Sequence, residues 1–165
     1  MQNSTQPPSG MLLRPIGVIR NGYTEKPNRP WEEIESTIEV DPTLEEALDG
    51  IEGFSHIIVL FWLNRVESER GKVLKQHPQR QEHLPEVGIF AIRTMFRPNP
   101  IGFTAVRLLE RRGPTLKVIG LDALDGTPLL DLKPYLTRGD CWPDATVPPW
   151  IEQLWAEQDA GRTQT

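Results

Sequence analysis

Between Leu121 and Tyr135 the chain reads LDALDGTPLLDLKPY, which sets three carboxylates, Asp122, Asp125 and Asp131, close to one phenol, Tyr135. Carboxylates and phenols take or give protons when they are held against a reacting group. The Asp125-Gly126 pair is also a strong hairpin signal, so part of this acidity has an architectural reading. Side chains alternate along a strand, so Asp122 and Asp125 cannot share one strand face unless a turn redirects one of them. The functional reading is that the turn brings backbone amides and acidic groups to the rim of a sheet. There they can hold a ligand's hydroxyl or amino groups.

A second stretch, FRPNPIG (Phe96 to Gly102), places Arg97 and Asn99 among prolines. Each proline lacks a backbone donor and fixes its φ angle, so the run cannot pass through the middle of a sheet. As a connector it is a stiff turn; as a site it presents Arg97 and Asn99 in one geometry. A guanidinium there can fork onto a carboxylate or a phosphate. Arg93 lies four residues earlier, on a preceding strand near the same rim. His77 and His83 fall in a charged loop without metal-ligand spacing, and His56 opens an apolar strand as a partly buried side chain, so no metal is expected. Cys141 has no cysteine to pair with inside the chain and no base beside it in sequence. Without a phosphate-binding loop or a glycine-rich dinucleotide fingerprint, a nucleotide-type ligand would not be held in a Rossmann fold.

The elements that must position these groups are mostly strands. Arg14 to Arg20 reads as a strand ending in an Asn21-Gly22 turn, and Tyr23 to Glu33 is a proline-rich loop. Ile34 to Val40 partly alternates. From Asp41 to Gly53 the period changes, and Thr43 with Glu46 forms a capping-box pattern for a short helix. Ser55 to Val66 is apolar enough for a central strand covered on both faces. Residues 67 to 86 form a long exposed loop. VGIFAIR, FTAVRLLERR, TLKVIGLDAL and PLLDLKPYL supply four further strands, and PPWIEQLWAEQ a terminal helix with proline in its first turn. The expected fold is mainly β, a small closed or partly open β-barrel with a few short helices. Residues 1–11 read as a flexible tail, 12–145 as the barrel domain and 146–165 as a C-terminal helix and tail.

Composition narrows the function classes. The chain has 165 residues, 38% of them hydrophobic, 25% charged and 7% aromatic, as an ordinary globular domain does. A formal charge of -5 argues against nonspecific coating of nucleic acid but leaves room for a local basic cleft. The apolar run Ile57 to Leu63 is far shorter than a membrane span, which needs about 20 residues. A reducing, cytoplasmic setting is the expectation for a chain with one cysteine.

Taken in order, IGVIRNGY, GIEGFSHIIVLFWLNR, GIFAIRTMFRPNPIGFTAVRLLE and GLDALDGTPLLDLKPYL resemble the TsaA-like domain of the TrmO family, the tRNA threonylcarbamoyladenosine methyltransferases. The resemblance runs from about Arg14 to Asp140. It implies a β-barrel methyltransferase that uses S-adenosyl-L-methionine, forms a homodimer with the cofactor cleft near the interface, and methylates the exocyclic nitrogen of a modified adenosine next to the tRNA anticodon. The family's cofactor positions fall on Arg29, Asn64, Arg65, Arg93, Phe103, Leu121, Asp122, Leu124, Asp125 and Gly126. Arg97, Asn99 and Lys133 would face the substrate, and Asp131, Asp125 and Tyr135 are the alternatives for the base. Asn64 stands where family members commonly carry histidine, and Thr94-Met95 where they carry a Ser-Pro pair. The chain resembles a short form without the further C-terminal domain of longer members.

Overall fold

The computed structural model describes residues 12–69 and 71–162. The expected N-terminal tail, residues 1–11, lies outside them. The chain divides into two compact units, the first from Met1–Asn64 with Ile101–Tyr135 and the second from Arg65–Pro100 with Leu136–Thr165.

The first unit is a closed antiparallel barrel of six strands: β1 (Gly17–Arg20), β2 (Glu35–Val40), β3 (His56–Trp62), β6 (Ile101–Arg112), β7 (Thr115–Ile119) and β8 (Pro128–Pro134), in the order β1-β2-β7-β6-β3-β8. This bears out the expected mainly β barrel. Inward side chains fill it, with Ile19, Ile38, Ile57, Val59, Phe61, Val106, Leu116, Val118, Leu121 and Leu129 all at 2% exposure or less. The apolar run read as a central strand is β3, flanked by β6 and β8. Two register irregularities supply curvature, one in β6–β7 between Leu108 and Glu110 and one in β3–β8 between Leu60 and Phe61. Such bulges sharpen the bend that a small barrel requires.

Gly102 fixes how the chain enters β6. It pairs with Phe61, and a Cβ at this position would stand 2.1 Å from the Phe61 ring. The glycine after the proline-rich turn therefore makes room for the largest fully buried side chain of the core.

Several expectations are corrected. The stretch after Asp41 is two 3-10 segments, Pro42–Leu48 and Ile51–Gly53, separated by Gly50 at φ 87°. Its cap is Asp41, whose Oδ1 accepts from the Thr43 backbone N–H at 2.9 Å and the Thr43 hydroxyl at 2.8 Å. Thr43 is thus a donor here and not the cap of a capping box. Arg111 ties this region to the barrel through the carbonyls of Leu48 and Glu45 and the carboxylates of Asp49 and Glu52. Glu52 is held below the usual carboxylate range by its own backbone N–H and by Arg111. Strand β1 begins at Gly17 rather than Arg14, and β7 ends at Ile119, leaving residues 120–124 as irregular chain. His56 is exposed, its Nδ1 2.9 Å from the Ser55 hydroxyl.

The second unit holds a two-stranded ribbon, β4 (Lys75–Gln76) with β5 (Val87–Gly88), and two helices, α1 (Thr137–Asp140) and α2 (Pro149–Arg162). The span expected as a bare loop thus contains β4, a 3-10 turn at Pro78–Arg80 and the buried Pro78 and Leu84. His77 is half-buried, its Nδ1 2.7 Å from the Leu84 carbonyl oxygen. His83 pairs with Glu157 on α2 at 3.1 Å. VGIFAIR is not a strand beyond Gly88: Ile89–Ala91 is a 3-10 turn, and Arg93 lies in the turn that follows. The reason is Arg97, whose Nη1 donates to the carbonyls of Ile89 (2.9 Å) and Ile92 (2.8 Å). Carbonyls three residues apart point to opposite edges of a strand, so only a turn brings both to one nitrogen. No helix among the described residues is long and apolar enough to cross a membrane.

Substituting Gly102→Ala is expected to lower unfolding free energy by about 1–3 kcal/mol, the usual cost of overpacking a core. In urea denaturation, combining it with Phe61→Leu should cost less than the sum of the two single changes, because the smaller side chain vacates the space of the new methyl.

Candidate functional site

One end of the barrel is covered by the chain between β7 and β8. Gly120 donates its N–H to the carbonyl of Ile34 at 3.2 Å, and Leu121 and Ala123 turn inward at 0% and 2% exposure. Asp122 between them is exposed, and one of its oxygens accepts from the Thr104 hydroxyl. Leu124 to Thr127 makes a turn closed by a 3.2 Å bond from the Thr127 N–H to the Leu124 carbonyl, with Gly126 at φ 79°. The Asp-Gly pair is a turn, as expected, but it does not close a hairpin. β7 pairs with β2 and β6, whereas β8 pairs with β1 and β3.

Asp125 reaches far along the sequence. Its Oδ1 accepts the backbone N–H groups of Asn21 at 2.8 Å and Gly22 at 3.1 Å, and its Oδ2 stands 3.7 Å from Arg20 Nη1. Its own N–H donates to the carbonyl of Tyr23 at 2.8 Å. Asn21 completes the clamp, with Nδ2 donating to the Ala123 carbonyl at 2.8 Å and the Ser36 hydroxyl at 3.1 Å. Sequence reading found the Asn21-Gly22 turn but not this partnership, since residues a hundred positions apart leave no local signal. Among the described residues, the backbone N–H groups of Asp122 and Leu124 form no hydrogen bond. The strip from Leu121 to Gly126 therefore offers open backbone donors beside an exposed carboxylate.

The outer surface of the barrel carries a second group. Cross-strand pairing aligns Phe103, Leu60 and Asp131 in one row and Ala105, Ile58 and Lys133 in the next. Asp131 follows the bulged residue Leu130; its Oδ2 is 2.7 Å from Lys133 Nζ and its Oδ1 accepts from the Leu132 N–H at 2.9 Å. Bulges of this kind commonly re-aim a side chain beside a functional site. Tyr135 lies beyond the far end of β8, its ring centroid 6.3 Å from that of His56. Asp125 and Tyr135 thus flank a strand that alone spans about 20 Å, and one subunit cannot bring both to one reacting atom. Arg29 of the proline-rich loop lies over the Tyr23 ring at 5.9 Å, and Asn64 is exposed at the start of a 3-10 segment.

Arg65, Arg93, Arg97 and Asn99 belong to the second unit. Arg65, Arg93 and Asn99 are exposed. Arg97 is half-buried: one nitrogen is committed to the two carbonyls described above, and its guanidinium lies 5.4 Å from the centre of the Phe90 ring. Its first duty is to hold the 89–97 turn, a role that sequence gave no means of seeing.

A family model described as the tRNA-methyltransferase O N-terminal domain matches residues 18–141. A probable S-adenosyl-L-methionine-binding protein of Archaeoglobus fulgidus is 44% identical over 145 residues, which cover 86% of this chain and 38% of that protein. The tRNA (adenine(37)-N6)-methyltransferase of Escherichia coli is 37% identical over 150 residues, 84% of this chain and 63% of the enzyme. A crystal structure of TrmO from Pseudomonas aeruginosa superposes with a TM-score of 0.67 at 34% identity, covering 84% of this chain and 62% of that one. The chain thus spans less than two thirds of the length of each of these three.

Replacing Asp125 by alanine removes an ionised acceptor from two backbone amides and is expected to cost about 1.5–3 kcal/mol in denaturant unfolding. Asp125→Asn keeps an oxygen at the same place and should retain most of that stability. Asp122→Ala, at an exposed carboxylate, should cost less than Asp125→Ala.

Proposed function

Since the chain belongs to the tRNA-methyltransferase O N-terminal-domain family, we propose that it is an S-adenosyl-L-methionine-dependent methyltransferase acting on threonylcarbamoyladenosine next to the tRNA anticodon. The observation that carries this reading is the strip Leu121 to Gly126, with its open N–H groups at Asp122 and Leu124 and its exposed carboxylate. Backbone donors suit the edge of an adenine and a carboxylate suits ribose hydroxyls, so the residues present fit the cofactor. Arg29, Asn64 and Phe103 of the same unit are its further contacts. When bound, the cofactor supplies a methyl group on a positively charged sulfur.

The chain's own residues have two tasks. They hold the acceptor nitrogen in line with the methyl group, which supplies much of the acceleration through orientation. They also remove the proton that the nitrogen loses as it forms its new bond. Asp131 takes that proton. It stands at a bulge on the barrel surface, held by one backbone amide and the half-exposed Lys133 ammonium, whereas Asp125 accepts two backbone amides and faces Arg20, and Tyr135 lies beyond the end of β8. Lys133, half-exposed on the barrel surface, receives the carboxylate of the modified base. The protein works in the cytoplasm as a homodimer. Phe103, 50% exposed beside Leu60 and Ala105, gives the outer barrel face an apolar strip that a second copy covers.

Methyl transfer from labelled cofactor to threonylcarbamoyl-modified tRNA tests the reading. Asp131→Asn is expected to slow transfer by about 10²–10⁴-fold while the heat of cofactor binding is unchanged; equal turnover would remove Asp131 from the role. A second reading, a cofactor-binding module without catalysis, is favoured by relatives named only as probable binding proteins. Cofactor heat without any transfer by the native protein would establish that reading instead. In sedimentation, Phe103→Lys should shift a dimer to monomer, and a native protein that is already monomeric would rule out the homodimer.

A further inference from the structure

A cavity of about 380 Å³ opens within the second unit, lined by Val73, Gln76, Arg80 and Phe96. That volume lies in the range of small-ligand sites. The Arg80 guanidinium lies over the Phe96 ring at 5.9 Å, and among the described residues it has no carboxylate partner. The Thr94 hydroxyl donates to Gln76 Oε1 at 3.1 Å, which fixes the amide orientation and leaves Gln76 Nε2 as a donor. The backbone that carries Arg80 is strained. Gln79 and Arg80 are consecutive non-glycine residues at φ 49° and φ 61°, and they are the positive-φ residues other than glycine among those described. Strain of this kind persists where surrounding structure holds a side chain for use. The turn is held by bonds from the Arg80 N–H to His77 and from the Gln81 N–H to Pro78, both at 3.0 Å.

Charge within this unit is uneven. Residues 65–100 contain seven Lys and Arg against four Glu, a local balance of +3, while residues 136–165 contain two Arg against five Asp and Glu and bring the unit as a whole to zero. The positive charge is confined to the segment that carries Arg80, where an anionic backbone would meet it. A guanidinium near an aromatic ring, beside an oriented amide donor, is a combination that holds unstacked bases of single-stranded RNA.

We infer that Gln76, Arg80 and Phe96 form a ribonucleotide site that takes one single-stranded nucleotide of the RNA substrate. The base lies against Phe96 with its edge on Gln76 Nε2, and its phosphate rests on the Arg80 guanidinium. This deepens the tRNA reading above and rests on it for the identity of the polymer. The site shares no residue with the proposed cofactor contacts, so its loss is expected to weaken RNA binding while the cofactor heat is unchanged.

The test uses the full chain and a fluorescent single-stranded heptaribonucleotide with an anticodon-loop sequence, followed by anisotropy over a range of salt. Arg80→Gly removes the guanidinium and relaxes the left-handed backbone, and Phe96→Leu removes the ring while keeping an apolar side chain. Each should weaken binding about tenfold with the cofactor heat unchanged. Arg80→Gly should also reduce the salt slope by about 0.7, the share of one single-strand phosphate. The inference is overturned if both variants bind like the native protein, or if the native protein does not bind the oligonucleotide. Native methyl transfer, measured separately, tells its failure from that of the proposed function. Transfer with variants of native KM for tRNA sinks the nucleotide site alone. Binding that depends on Arg80 and Phe96 without any transfer supports the site and sinks the proposed activity.

Discussion

The barrel depends on a short seam. Where β1 meets β8 the ladder has two register pairs, Gly17 with Leu129 and Val18 with Pro128, against seven between β3 and β6. Closure is completed by bonds beyond the ladder, from Ile16 to Leu129, from Ile19 to Thr127 and from Gly126 to Ile19. The Asp125 carboxylate then anchors the end of β1 through Asn21 and Gly22. A charge-assisted bond to two amides is stronger than a neutral one, and here it stands where the sheet has least backbone pairing. The proposed cofactor strip lies in the same stretch of chain. The acidic turn is therefore structural at Asp125, whereas the N–H groups of Asp122 and Leu124 form no hydrogen bond among the described residues.

Much of the barrel was legible because its strands carry apolar side chains at spacings that a sheet imposes. β2, β3 and β6 fall close to where apolar patterning put them. β8 was found without its bulge, since Leu129, Leu130 and Leu132 give no alternation from which to place the extra residue. The failures share a cause. Asp125-Gly126 has the local chemistry of a hairpin, yet the strands on either side find partners elsewhere. Val87 to Arg93 has the composition of a strand, yet a guanidinium four residues beyond it gathers two of its carbonyls. In both, a distant or non-alternating hydrogen bond decides the conformation, and local composition carries no record of it.

The candidate site was legible in kind more than in role. Residue types on the acidic strip and the proline-rich turn pointed to ligand chemistry, but the division of labour among the three carboxylates emerges only from their partners. Arg97, read as a substrate contact, also holds a turn through the carbonyls of Ile89 and Ile92. The cluster of Gln76, Arg80 and Phe96 went unnoticed, because twenty residues separate its ends and each residue alone is unremarkable in a charged loop.

The seam also bears on how this protein avoids sticking to others. If β1 and β8 part, the ring becomes an open six-stranded sheet with two bare margins, the kind of surface on which neighbouring chains add as further strands. β8 begins and ends in proline, at Pro128 and Pro134, and neither residue has an N–H to offer an incoming strand. Because Tyr135 next to it donates its N–H toward β3, Pro134 lies with its donor-less nitrogen toward the margin that β1 would vacate, and it leaves that margin one donor fewer for an incoming strand.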